Sequence, residues 1–235
     1  MSNDKPILTI ERLTKIFETD SGRICLFNDL CTEIAEGEFA AVTGPTGVGK
    51  TTLVNIIAGL EKPTQGSVTV LGKDVTAMDD DSLTEFRGQS IGVVFQGSQL
   101  LAGLNVFQNI ELPLVIQKVD EAERKRRTQE IIDFLGLAEK PSAYPAALSV
   151  GERRKVAIAR ALVTEPPLLL MDEPTGGLDT AAINILTPLL RGIHYLHKGT
   201  IVMATNSLTL ARIASREIPI MRPRFLMTCR LQEVR

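Results

Sequence analysis

The chain has 235 residues, 44% hydrophobic and 23% charged, with a formal net charge of -2. That fits one large globular domain, residues 1–235, with room for an inserted subdomain, and gives no reason to expect nucleic acid as a partner. No apolar run approaches the ~20 residues of a membrane helix, and the polar start lacks a signal-peptide core, so the chain is not expected to span a membrane.

Taken in order, Pro6 to Glu11 alternates apolar and polar residues like a half-buried strand. Leu30 to Ile34 and Ser67 to Leu71 read the same way and suggest a small antiparallel β layer near the start. Phe39 to Thr43 is a short apolar run leading into glycines, the pattern of a buried parallel strand. Lys50 to Leu60 reads as a helix, and Ile91 to Phe95 as a second central strand. Ala122 to Leu135 is amphipathic, with Gly136 as its C-cap, and its run Glu121-Ala-Glu-Arg-Lys-Arg-Arg is a solvated face. Gly151 to Val163 is helical until Pro166 and Pro167 stop it. Leu168 to Met171 and Thr200 to Thr205 complete the central strands, and Thr180 to Tyr195 is a helix kinked at Pro188. The block 97–162 shows no strand and is expected to be a helical subdomain. The alternation predicts an α/β fold with a mostly parallel core sheet.

Three cysteines, Cys25, Cys31 and Cys229, show no CxxC spacing, so neither a disulfide framework nor a zinc site is expected. His194 and His197 near a helix end read as ordinary surface or cap residues. A final hairpin around Pro223 is expected despite an unusual turn sequence.

Gly44-Pro-Thr-Gly-Val-Gly-Lys-Thr-Thr52 fits GxxxxGK[ST] between an apolar strand and a helix. Glycines let backbone N–H groups turn inward and approach phosphate, and the helix N-terminus adds free donors. Gly44, Pro45, Thr46, Gly47, Val48, Gly49, Lys50, Thr51 and Thr52 are therefore candidate nucleotide-binding residues. Lys50 would reach the β- and γ-phosphates, and Thr51 would offer a hydroxyl to Mg2+. The loop alone does not separate kinase, GTPase, motor and transporter.

Downstream, Leu168-Leu-Leu-Met-Asp-Glu-Pro174 delivers two carboxylates at the end of a buried strand, where α/β sheets place their sites. Asp172 would hold Mg2+ and Glu173 would act as general base on the attacking water.

Leu148-Ser-Val-Gly-Glu152, followed by Arg153 to Leu162, resembles the LSGGQ signature of ATP-binding cassette proteins. Gln96 matches the Q-loop glutamine, Gly177-Leu-Asp179 the D-loop, and Phe17 the aromatic that stacks on adenine. The order and spacing agree across nearly the whole chain. The resemblance implies ATP and Mg2+ as cofactors and two cassettes facing head to tail, with each ATP between one P-loop and the opposing signature. Ser149, Gly151, Glu152 and Asp179 would then belong to the nucleotide site from across the interface. Gln96 would sense Mg2+ and the attacking water, and its loop would contact a transmembrane permease from the cytoplasmic face. The segments 95–114 and 172–179 resemble most the lipoprotein-release and macrolide-exporter group, with the cell-division ATPase similar in the same places. That leans towards export or cell-envelope work.

Two positions depart from the family pattern. Val150 stands where the signature has glycine, and a β-branched residue restricts the backbone there. Asn206 stands where the switch strand ends in histidine, and an amide donates a hydrogen bond but does not titrate. The resemblance therefore leaves two readings open. One is an ATPase slowed by Asn206 and Val150 that drives a permease as a homodimer or heterodimer. The other is a hydrolysis-impaired ATP-binding regulatory subunit, or the degenerate half of a heterodimer.

Overall fold

Two sheets organise the chain in the computed structural model, which describes residues 6–20, 22–197 and 199–221. The first is antiparallel and runs β2-β1-β4-β5, with β1 at Pro6–Thr19, β2 at Gly22–Ala35, β4 at Gln65–Val70 and β5 at Lys73–Asp74. The second is wholly parallel and runs β6-β7-β8-β3-β9, with β3 at Phe39–Thr43, β6 at Ile91–Val94, β7 at Leu168–Asp172, β8 at Thr200–Thr205 and β9 at Arg216–Pro219. This is the α/β fold with a parallel core sheet that the alternation of elements predicts, beside the expected antiparallel layer.

The central strands β3, β7 and β8 carry near-continuous runs of buried side chains because both of their faces are covered. Leu168 and Leu170 of β7, with Val202 and Ala204 of β8, enter a core shared with the antiparallel sheet, with α1 at Lys50–Ile57 and with α2 at Asp80–Ser90. Leu169 and Met171, with Ile201 and Met203, enter a second core on the opposite face. Helices α3 at Val106–Ile116, α4 at Glu121–Phe134, α5 at Val150–Leu162, α6 at Thr180–His197 and α7 at Leu208–Ala211 form the rest of that second core. The stretch 97–162 holds α3, α4, a 3-10 turn at Pro145–Ala147 and α5, and no strand is assigned in it.

Several expectations need correction. The first two strands are each 14 residues long, well beyond the alternating segments. Arg12 (φ 47°) and Asp29 (φ 60°) sit at irregularities in their pairing and shift the side-chain register, so the period-two pattern breaks while the ribbon continues. Helix α1 ends at Ile57 rather than Leu60, since Gly59 adopts φ 66° and closes the turn onto Ile56 O. The strand expected to reach Phe95 ends at Val94. Helix α6 contains Pro188 as expected and runs two residues past Tyr195, to His197.

His194 is not an ordinary surface residue: its Nε2 lies 2.9 Å from Gly37 O and its ring packs 5.4 Å from that of Phe39, tying α6 to the entrance of β3. The side chain of His197, Cys229 and the hairpin expected around Pro223 lie outside the described residues. Neither Cys25 nor Cys31 is in a disulfide.

Candidate functional site

The loop between β3 and α1 keeps its shape through its glycines. Gly49 has φ 111°, and a Cβ there would lie 2.9 Å from Phe27 Cζ, so the entry to α1 admits no side chain. Val48 turns the other way and is buried in the core, anchoring the loop from beneath. No side chain caps α1, which leaves its first-turn N–H groups for an anion.

Lys50 is 6% exposed. Its ammonium donates to the carbonyls of Gly44 at 3.0 Å and Pro45 at 3.2 Å and lies 3.3 Å from Glu173 Oε1. Each of these contacts holds the charge at the mouth of the loop.

Asp172 ends β7 and is 2% exposed. Its Oδ2 accepts the Thr51 hydroxyl at 2.8 Å, while its Oδ1 is buried without a hydrogen-bond partner. Burial pushes the carboxyl above the ordinary range. A buried carboxylate oxygen without a donor, beside a hydroxyl, suits a hard cation. Among the described residues no group of three His, Cys, Asp or Glu could cage a metal, so a cation here would share its shell with phosphate oxygens, as Mg2+ does. Thr51 and Asp172 would hold it, and it would neutralise charge on the transferring phosphoryl group.

Glu173 adopts φ 45°, a left-handed conformation that costs about 1–3 kcal/mol for a side-chain-bearing residue. Neighbours fix it there. Its N–H donates to Ala204 O at 2.8 Å, and its Oε2 accepts from the Asn206 N–H at 3.2 Å and the Thr205 hydroxyl at 3.4 Å. The Asn206 amide in turn donates to Thr46 Oγ1 at 3.4 Å, so the end of β8 reaches both the carboxylate and the phosphate loop.

Thr46, Gly47, Gly49, Lys50, Thr51, Thr52, Gln96, Glu173 and Asn206 line one cleft of about 540 Å³. Gly44 and Pro45 contribute carbonyls to Lys50 from its edge. Ser149, Gly151, Glu152 and Asp179 line a different hollow, of about 680 Å³, with Val150, Ala182 and Ile185. There Ser149 and Glu152 form a reciprocal capping box at the start of α5, and Lys140 pairs with Glu152 at 2.6 Å. The Lys140 ammonium and the Ser149 N–H hold the Glu152 carboxyl down at about 2. Asp179 Oδ1 accepts from Ala182 N at 2.8 Å at the start of α6. Phe17 lines neither space; it is 36% exposed on β1, with the Lys15 ammonium 4.6 Å over its ring.

Two features of the site escaped the sequence reading. Leu26 of β2 lines the first cleft, and only the full length of that ribbon shows that β2 reaches it. Arg154 lies 2% exposed beneath the loops that carry Gln96 and Glu173. It stands four residues before buried Ile158 on α5, so helical spacing was the available signal.

Comparisons with known proteins point to one family. Residues 27–176 match the family model for ABC transporter. The chain is 39% identical over 212 residues to the uncharacterized ABC transporter ATP-binding protein YvrO of Bacillus subtilis, covering 90% of this chain and 92% of that one. It is 37% identical to the lipoprotein-releasing system ATP-binding protein LolD of Treponema denticola, covering 88% and 92%. It is 38% identical to the methionine import ATP-binding protein MetN of Geobacillus kaustophilus, covering 92% and 63%. Among solved structures, the dimeric ATP-binding cassette MJ0796 bound to ADP and Pi superposes with a TM-score of 0.84 at 34% identity, covering 91% of this chain and 94% of that one.

Proposed function

The chain belongs to the ABC transporter ATP-binding family, and from that premise we propose that it is the Mg-ATP-hydrolysing subunit of a membrane transporter of export or cell-envelope type. Its working form is a dimer of cassettes docked on the cytoplasmic face of a permease, with residues 97–162 as the helical subdomain.

The observation that carries this reading is the division of the site. The phosphate loop, Asp172, Glu173, Gln96 and Asn206 share one cleft, while Ser149, Gly151 and Glu152 lie on a separate hollow of the same chain. Residues that together complete a nucleotide site are thus apart within one subunit. They come together when the signature hollow of a second cassette closes over the phosphate loop of the first. In that dimer Lys50 leaves its loop carbonyls and Glu173 for the β- and γ-phosphates. Thr51 and Asp172 would hold Mg2+, with Gln96 as a further candidate ligand, and the Glu173 carboxylate, steadied by the Asn206 N–H, takes a proton from the attacking water. Phe17, exposed on β1, would stack on adenine, as the family resemblance implies. ATP favours the closed dimer through contacts that hydrolysis removes.

The envelope assignment rests on the segment 95–114, which resembles the lipoprotein-release group. The substrate is a property of the permease. A second reading, a cassette that binds ATP and hydrolyses it poorly, is favoured by Asn206 and by Val150, whose side chain is 46% exposed at the signature hollow.

Steady-state ATP hydrolysis decides between the two. Turnover by the wild type that Glu173→Gln lowers by about 10²–10⁴-fold, with the ATP-bound dimer retained in size-exclusion chromatography, supports the motor. Absence of turnover with intact ATP binding, and recovery in Asn206→His, establishes the second reading.

A further inference from the structure

Arg154 is a buried cation with no carboxylate in hydrogen-bond contact among the described residues. One of its terminal nitrogens donates to Phe95 O at 2.8 Å, and the other to Gln96 O at 2.5 Å and Gly176 O at 3.1 Å. Its Nε is buried without a partner. Asp172 acts on it through the field alone, and burial lowers the guanidinium's proton affinity. An apolar side chain of similar volume would fill the same space without that penalty. What the guanidinium adds is a rigid planar fork that fixes carbonyls at set angles.

Those three carbonyls come from two loops. Phe95 and Gln96 form the turn that brings the Gln96 side chain to the cleft. Gly176 closes a turn on Glu173, donating its N–H to Glu173 O at 2.9 Å, and so its own carbonyl anchors the turn in which Glu173 keeps φ 45°. The fork sits on α5, the helix whose first residues form the signature hollow.

We infer that Arg154 is a positioning residue that passes the state of the signature end of α5 to Gln96 and Glu173 together. A shift of α5 when its N-terminus engages the opposing nucleotide moves both side chains in one rigid step, so hydrolysis answers to closure. The inference rests on the dimeric reading above.

The test compares wild type, Arg154→Met and Arg154→Lys. In Arg154→Met, kcat for ATP falls by about a hundredfold while ATP affinity stays within about twofold. Arg154→Lys, which still donates to carbonyls, regains part of the loss. Hydrogen exchange supplies an arm that needs no turnover. ATP binding to the wild type protects peptides spanning 149–153, 95–97 and 173–177. In Arg154→Met protection persists at 149–153 and falls about tenfold at the other two. Equal loss of kcat, ATP affinity and melting temperature in both variants would make Arg154 a packing residue and overturn the inference. So would loop protection that survives in Arg154→Met. A wild type without turnover counts against the motor reading alone, and the exchange experiment still decides the role of Arg154.

Discussion

Thr51 and Asp172, 121 residues apart in sequence, meet in a 2.8 Å hydrogen bond that joins the start of α1 to the end of β7. The contact uses one carboxylate oxygen and leaves the other buried and bare. The pair would supply two ligands to the proposed Mg2+, and its two members are expected to respond differently to substitution.

Asp172→Asn should weaken the Mg2+ dependence of nucleotide binding, since a neutral amide oxygen lacks the charge with which a carboxylate attracts a dication. It should also melt at a higher temperature than the wild type at neutral pH. Burial raises the folded carboxyl above its ordinary 3.8, so the folded state takes up a proton more readily than the unfolded state. That linkage favours folding at low pH and fades as pH rises through the raised value. The asparagine variant removes a buried charge at neutral pH, and its advantage should shrink as the buffer is made acidic. Calorimetry at several pH values checks both statements.

Glu152 has the opposite sign. Its folded carboxyl lies at about 2, below the ordinary 4.5, because Lys140 and the Ser149 N–H favour the anion. Its contribution is fully present above the ordinary range and is lost as pH falls through about 2. Glu152→Gln should therefore melt below the wild type at neutral pH, with the gap closing in acid. A gap independent of pH would count against the ionic part of the capping box.

Gly49→Ala should destabilise the fold by about 1–3 kcal/mol, from the φ of 111° and the 2.9 Å approach to Phe27 Cζ. It should weaken nucleotide binding as well, because the loop must open to relieve the clash. Urea denaturation and equilibrium binding of a fluorescent ATP analogue measure the two effects.

Asn109 is fully buried on α3 and bonds both the N–H and the carbonyl of Leu101, with further bonds to the carbonyls of Leu104 and Asn105. Asn109→Leu should cost about 1–3 kcal/mol for each polar group left buried and unpaired. It should also speed amide exchange across 101–105, while the phosphate loop exchanges as before.

How much of this was legible varied with the source of the signal. Strand β3 and strand β8 were readable to the residue, because a strand covered on both faces is a continuous apolar run with sharp ends. The antiparallel ribbon was readable only in part, since its bulges shift the apolar positions from one parity to the other. Helix α2 was missed although Asp79 caps it and Leu83 and Phe86 are its buried positions; two apolar contacts in 11 residues give a weak stripe. The cleft residues were legible as motifs. Their division between two spaces was legible only through the family resemblance, because distance between segments belongs to the fold. Arg154 was hidden within a run of basic residues, where spacing alone marked it as inward-facing.

The order of the parallel sheet also sets when the chain can fold. Strand β3, which delivers the phosphate loop, lies between β8 and β9. A ribosome must therefore synthesise through Thr205 before β3 gains its first hydrogen-bonded neighbour and through Pro219 before it gains the second. Until then Phe39 to Val42 is an apolar strand with two unpaired edges, a template for association with other nascent chains. A chain stalled before β8 is made should therefore expose that strand, with the phosphate loop already synthesised through residue 52 but unsupported on either edge.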